Sequence, residues 1–434
     1  MTVTPVRETA YRLASIARGL STASAVVLLL AVALAVGIYP LMARPDVVQG
    51  EAFLFSDEGM TLLLGSVLHA GGRLYLDIYT PYAPLSVWMW QAFASVAGNT
   101  PMAFGALQAG LNTAVLLLVF ATLRRFMAPA WALAFTVICV LPAVMIRGQI
   151  LGGYWAGTYI GVERLLLALL LFCWRPPLER TLTRSLALGV MLGAFQWVKF
   201  GSVVFFAGGF LAAEALAISG ARDRRAAVRH TMIALAVVIA AEGAQVLWAV
   251  STLPWAVARD VVWPSFGVRM YETIPTAVRF PPFASHVYLF RRDAAIVAGA
   301  GLGAMFVWKH RQSPAAPVVA FLLVSYLMGA TLLFRHVYHF YQYAWIPAAA
   351  AGFAMAAASV RARMVVLLWC LPVLAISLKG MLAVPRPGEW VQTPAAGALY
   401  LSRAAAEDLR ALNALEAEVA SKGGWRARFQ TPGR

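Results

Sequence analysis

The chain has 434 residues, 61% of them hydrophobic and only 12% charged, about half the charged share of an average soluble domain. That balance excludes an ordinary soluble fold and points to a protein that buries its apolar surface in lipid. The formal net charge of +16 would suit nucleic acid only if Lys and Arg lined one soluble face; here they fall in short clusters between apolar runs, so no nucleic-acid partner is expected.

Apolar runs of about 20 residues recur, each long enough to cross about 30 Å of hydrocarbon. They predict about eleven membrane helices, at 22–42, 101–123, 129–146, 157–174, 184–198, 201–218, 231–252, 293–308, 317–334, 341–359 and 364–382. The first run is too long for a signal-peptide core, has no clear cleavage site and reads as a signal anchor. The fifth and sixth form a tight pair with Lys199 in the turn. Gly189 and Gly193, and the run GAGLGA at 299–304, sit inside helices, where small residues serve close helix packing. Cys139, Cys173 and Cys370 lie inside apolar runs and read as packing residues.

The distribution of Lys and Arg tests this topology. With the N-terminus in the cytoplasm, the inside segments carry Arg7, Arg12 and Arg18, then Arg124 and Arg125, then Arg175, Arg180 and Arg184, then Arg222 to Arg229, then Lys309 and Arg311, then Arg361 and Arg363. The first outside loop is acidic, with Asp46, Glu51, Asp57, Glu58 and Asp77. This is a positive-inside pattern, and it puts the C-terminus outside the cytoplasm, in a cell inner (plasma) membrane protein. The expected fold class is an all-α polytopic membrane protein: a transmembrane unit over 1–382 and a short external tail over 383–434. The tail contains an amphipathic helix, LSRAAAEDLRALNALEAEVA.

Besides this tail, two outside segments are too long to be simple turns. The first, 43–100, contains a helical stretch at 57–70 and an amphipathic one at 86–97 whose Trp88, Trp90 and Phe93 favour the bilayer interface. The second, 253–292, is rich in Pro, Arg and aromatics. The chemistry concentrates in FLFSDEGMTLLLGSVLHAGGRLYLDIYTPYAPL, residues 53–85. Asp57 and Glu58 open a helix that Ser56 can cap, and acids suit a helix N-terminus on dipole grounds alone. They also stand in a loop pressed on the membrane, where a carboxylate needs a partner, which makes them candidates for a general base or a cation ligand. A divalent cation is the candidate cofactor; the residues name no particular metal.

Asp-Glu after the first membrane helix, followed by a Gly-rich turn, Leu-Tyr-x-Asp and Pro-x-x-Pro-Leu, resembles the first external loop of the GT-C membrane glycosyltransferases. The likeness is to the protein mannosyltransferase and aminoarabinose transferase branch, which uses polyprenyl-phosphate sugars. LGVMLGAFQWVKFGSVVFF (188–206) and FRHVYHFYQYAWIPAAAA (334–351) are similar to later segments of that family. The resemblance implies a catalytic role for Asp57, with Glu58 beside it, and matches Tyr75 and Asp77 to the Leu-Tyr-x-Asp element. It implies a polyprenyl-phosphate-linked sugar donor and a glycan, lipid or protein acceptor. It also implies a soluble external domain after the last helix, where this sequence has only 383–434.

A lipid-linked donor needs cations and hydroxyls around its phosphate. The candidates are Lys199, which can equally snorkel; Arg269 and Arg279, with Arg291 and Arg292, in the second long loop; and Arg335 with Tyr338 and His339. His336 and His339 could share a metal, or the group could be an interfacial aromatic belt. Asp260, Glu272 and Asp293 are candidates for a later external acid. Three acids fall in or near membrane helices. Glu163, next to Arg164, reads as interfacial, Glu214 as snorkelling near the cytoplasmic end, and Glu242 as deep and without a sequence partner. Glu242 supports the alternative class, an ion-coupled transporter or lipid flippase; a non-catalytic scaffold would explain the topology but not the clustered acids.

Overall fold

The computed structural model describes residues 20–48, 57–78, 80, 82–142, 158–199, 202–262, 294–333, 345–356, 359–385, 387–393 and 397–421. A helix occurs at each of the eleven expected positions. These are α1 (Thr22–Ala43), α4 (Pro101–Leu123), α5 (Pro129–Val140), α6 (Thr158–Cys173), α7 (Leu182–Val198), α8 (Ser202–Ser219), α9 (Arg224–Thr252), α11 (Ala294–Lys309), α12 (Ala316–Leu333), α13 (Trp345–Ala356) and α14 (Val360–Met381). Among the described residues, α1, α4, α8 and α9 are each long and apolar enough to cross a bilayer. The first loop supplies α2 (Asp57–His69) and α3 (Pro84–Ala97), and α10 (Trp255–Val262) follows α9.

Local sequence explains the boundaries. Thr100 caps α4 by accepting the Ala103 N–H at 3.2 Å, and Pro101, which has no N–H to satisfy, occupies the first turn. Pro84 starts α3 in the same way. Asp223 caps α9 through the Ala226 N–H, so this helix begins seven residues before the expected 231, in the basic segment ahead of the apolar run. The second half of α5 is a π-turn, Thr136–Val140.

Small residues set the helix spacing. A methyl group on Gly189 would lie 2.5 Å from the Ala234 carbonyl oxygen, and one on Gly193 would lie 2.4 Å from Ala241 Cβ, so α7 and α9 touch backbone to backbone. Gly209 brings α8 equally close to Ser325 and Phe321 of α12. GAGLGA lies within α11, where Gly303 faces Val319, Leu323 and Ala350, in keeping with close packing.

After α14 comes an antiparallel hairpin, β1 (Glu389–Thr393) and β2 (Gly397–Leu401), then α15 (Arg403–Ser421). The amphipathic helix was expected and the hairpin was not. Its inward residues Val391, Leu399 and Leu401 bury against Leu62 of α2, Trp90 of α3 and Phe104 of α4. The hairpin therefore lies on the same face of the bundle as the first loop. The ends of α1 and α14 meet on that face too, where the Arg44 guanidinium reaches the Met381 carbonyl at 3.3 Å while paired with Asp46.

The opposite face is arginine-rich. Arg125 donates to the carbonyls of Leu171 and Trp174 at 3.4 and 3.1 Å. Arg180 forms an ion pair with Glu214, and both side chains are almost wholly buried, 0% and 1% exposed. Trp174 Nε1 and Thr231 Oγ1 donate to the same carboxylate at 3.0 and 2.6 Å. Glu214 is thus a saturated, buried anion and not a snorkelling one. The sequence could not show this, because its cation comes from a short turn 34 residues away.

Candidate active site

The acidic pair opens α2, a helix seated on the first-loop face. Leu64 of α2 belongs to one apolar cluster with Tyr82, Val87 of α3, Ile160 and Val162 of α6, and Val198 of α7; α2 packs on α3, and α3 in turn on α6 and α7. Trp90 is fully buried between α2, α4 and the hairpin, not at the lipid interface where its composition had placed it. Trp88 remains partly exposed and meets Trp197 of α7 and Trp248 of α9 at ring distances of 6.1 and 5.6 Å. For Asp57 and Glu58 the description covers the backbone alone.

The Leu-Tyr-x-Asp element builds the loop. The Asp77 carboxylate accepts the Arg73 backbone N–H at 2.8 Å and its Nε–H at 3.1 Å, closing the turn on itself. These bonds hold the Asp77 carboxyl below the usual carboxylate range, the guanidinium being the largest cause. Tyr75 stands in the left-handed backbone region, φ 67°, a conformation costly for a bulky residue and held by its surroundings. Its ring is buried with Ala249, Leu253, Ala258 and Val261, with its edge against Trp248 at 6.2 Å. Its hydroxyl donates to the Tyr82 carbonyl, and burial pushes the phenol well above its ordinary pKa. Tyr75 therefore docks the loop on α9 and α10, while Asp77 closes the turn that carries it.

Lys199 ends α7, with its N–H on the Phe195 carbonyl at 3.0 Å and its own carbonyl taken by the Ser202 N–H at 3.1 Å, which makes the expected tight turn into α8. Glu163 and Arg164 are buried within the protein, at 3% and 6% exposure, and Ser202 Oγ donates to Glu163. Lys199, Glu163 and Arg164 thus belong to the ends of α6 and α7 beneath α3, on which α2 packs. Arg269, Arg279, Arg291, Arg292, Glu272, Asp293, Arg335, His336, Tyr338 and His339 lie outside the described residues, as does Ser56. Among the described residues no group of three His, Cys, Asp or Glu side chains could hold a metal ion.

One residue of this face gave no signal in the sequence. Asn99 sits in the turn between α3 and the Thr100 cap of α4, where Gly-Asn-Thr reads as a plain loop. Its Nδ2 donates to the Leu62 carbonyl and to Ser66 Oγ of α2, both at 2.8 Å, and its Oδ1 accepts from Trp90 Nε1 at 3.2 Å.

No sequence family matches the chain, and no curated protein does. Solved structures do. An oligosaccharyltransferase from Archaeoglobus fulgidus, determined in complex with Zn and sulfate, is similar over 84% of this chain and 54% of its own, with a TM-score of 0.53 and 14% identity. ArnT from Cupriavidus metallidurans, bound to undecaprenyl phosphate, is similar over 81% of this chain and 63% of its own, with a TM-score of 0.48 and 17% identity. The chain spans less than two thirds of the length of either. The architecture, a polytopic helical bundle with juxtamembrane helices in its first loop, is the GT-C fold.

Proposed function

We propose that this protein is a membrane glycosyltransferase that moves a sugar from a polyprenyl-phosphate carrier to an acceptor outside the cytoplasm, with Asp57 as general base. The observation that carries the reading is the helix opened by Asp57 and Glu58, packed on α3 and α4 at the end of the bundle where α3 lies across α6 and α7, within a GT-C fold. In this reading the first-loop face is extracytoplasmic and the arginine-rich face cytoplasmic, in line with the positive-inside bias. The protein would then reside in the inner (plasma) membrane, its N-terminus inside and its C-terminus outside.

The chemistry follows from the donor. Its isoprenoid tail stays in lipid while its phosphate and sugar stand at the interface. Asp57 takes the proton of the acceptor hydroxyl as that oxygen attacks C1 of the sugar, a contribution of about 10²–10⁴-fold. The C1–O bond to the phosphate breaks as the new bond forms. Cations neutralise the departing phosphate, a role we assign to Lys199 with Arg269, Arg279 and Arg335. Tyr338 and His339 supply hydrogen bonds, while Glu58 supports Asp57. Tyr75 and Asp77 hold the loop in the shape this requires.

The test is transfer by the purified protein from polyprenyl-phosphate sugars, wild type against Asp57→Asn. The variant is expected to fold, to bind the carrier and to lose transfer. Undiminished transfer by Asp57→Asn would remove Asp57 from the mechanism.

A further inference from the structure

We infer that Asn99 is the positioning residue of the catalytic helix, fixing α2, and Asp57 with it, to the membrane bundle; the inference rests on the role proposed for Asp57. The amide has all three of its hydrogen-bonding functions engaged at once. Its orientation is not arbitrary: an indole N–H can only donate and a backbone carbonyl can only accept, so Oδ1 must face Trp90 and Nδ2 must face Leu62. Leu62 and Ser66 lie one turn apart on α2, about 7 and 13 Å along the helix from Asp57 at 1.5 Å per residue. Ser66 Oγ donates to the same Leu62 carbonyl at 3.1 Å, which closes the network.

The other side of the network is rigid. Asn99 directly precedes Thr100, the N-cap of the bilayer-crossing α4. Trp90 is fully buried with its ring edge on Phe104 of α4 at 5.3 Å. The hairpin residues Val391, Leu399 and Leu401 close over the same apolar group. Gly65 is the local condition for this approach: a methyl group there would fall 2.5 Å from Asn99 Oδ1 and 2.8 Å from Trp90 Nε1. α2 is a helix of 13 residues in a loop, too short to hold itself as an isolated helix in water. Its placement must come from outside it, and Asn99 is the polar group that reads two of its turns at once.

The experiment is a mutant cycle on the full-length protein with a polyprenyl-phosphate sugar as the probe donor. Asn99→Ala and the milder Trp90→Phe are made in wild type and in Asp57→Asn, and kcat, donor KM and bound donor per mole of protein are measured. A misplacement of about 1 Å costs on the order of 100-fold in rate. We therefore expect Asn99→Ala to lower kcat by about 10–100-fold with donor KM and stoichiometry little changed, Trp90→Phe to lower it less, and neither to reduce the residual rate of Asp57→Asn further. Equal losses in both backgrounds, or a loss that appears only as a smaller fraction of donor-binding protein, would overturn the positioning role and leave the glycosyltransferase reading intact. Full transfer by Asp57→Asn would overturn that reading instead. Because Trp90→Phe keeps an aromatic ring in the core and removes the indole N–H that fixes Asn99, the cycle decides the question even where Asn99→Ala does not fold.

Discussion

Removing the Glu214 carboxylate would strip a buried guanidinium of its counter-charge. That carboxylate accepts from Arg180 Nη1 at 2.7 Å, from Arg180 Nη2, from Trp174 Nε1 at 3.0 Å and from Thr231 Oγ1 at 2.6 Å, so four hydrogen bonds converge on it from three segments. Glu214→Ala leaves a guanidinium buried without a counter-charge, which costs about 3–5 kcal/mol in buried pairs. Three features pull the expected value to the lower end, about 3 kcal/mol. Arg180 Nε still donates to the Arg175 carbonyl, the guanidinium still lies over the Trp174 and Phe210 rings, and Thr231 keeps a second acceptor, the Ala227 carbonyl. Arg180→Met with Glu214→Leu removes both charges together and should return most of the stability, because the pair's mutual attraction only offsets its desolvation. The assay is reversible unfolding in mixed detergent micelles, followed by circular dichroism. A loss below about 1 kcal/mol for Glu214→Ala, or a double variant as unstable as the single one, would refute the account of a buried and saturated pair.

Further expectations concern other parts of the molecule. Gly193→Ala and Gly189→Ala each force α7 from α9 and should destabilise by about 1–3 kcal/mol in the same unfolding assay, as overpacking does; full stability would mean that the helices do not touch there. The Asp77 carboxyl has its pKa lowered by Arg73, so its small contribution is present above the ordinary carboxylate pKa and is lost as pH falls through the lowered one. A carboxyl NMR titration should place its midpoint below 3.8, the value without such partners, and Arg73→Ala should move it back up. Glu242→Gln should leave sugar transfer unchanged in the purified enzyme, and a loss of transfer would bring that acid into the mechanism.

The apolar runs made the helices legible, because a segment that must satisfy its own backbone in lipid has few alternatives to a helix. The first-loop helices were legible for a local reason: Asp57–Glu58 is a strong start signal, and the amphipathic spacing of Trp88, Trp90 and Phe93 marked the second helix from 86, two residues after its start at Pro84. The hairpin was not. Its strands are five residues each, and their alternation, with Val391 inward and Trp390 and Gln392 outward, is too brief to stand out beside the amphipathic helix that follows. The polar contacts were illegible for a different reason. Arg180–Glu214, Ser202–Glu163 and Asn99–Leu62 join residues 34, 39 and 37 positions apart. The charge distribution had read Arg180 as a topogenic charge, and nothing in the sequence singled out Asn99. A charge near a membrane boundary looks the same in sequence whether it faces headgroups or a buried partner.

The intramembrane acids also bear on the transporter alternative. Ion coupling needs ionisable groups that form a path and can change partners. Glu214 is saturated on the arginine-rich face, and Glu163 accepts from Ser202 among the helix ends beneath α3. Both are fixed by packing, in different parts of the bundle. Glu242 is half-buried in α9, and its Oε1 has no hydrogen-bond partner among the described residues. The flanking residues Ile239 and Val246 of α9 are exposed on the surface of the bundle, where lipid would lie. One acid on a peripheral helix does not make a path. By contrast, the first loop is tied down by the Arg73–Asp77 turn, the buried Tyr75 and the Asn99 network. Fixing a short helix so firmly against the bundle suits the proposed transferase, whose reaction would depend on where the first residues of that helix stand.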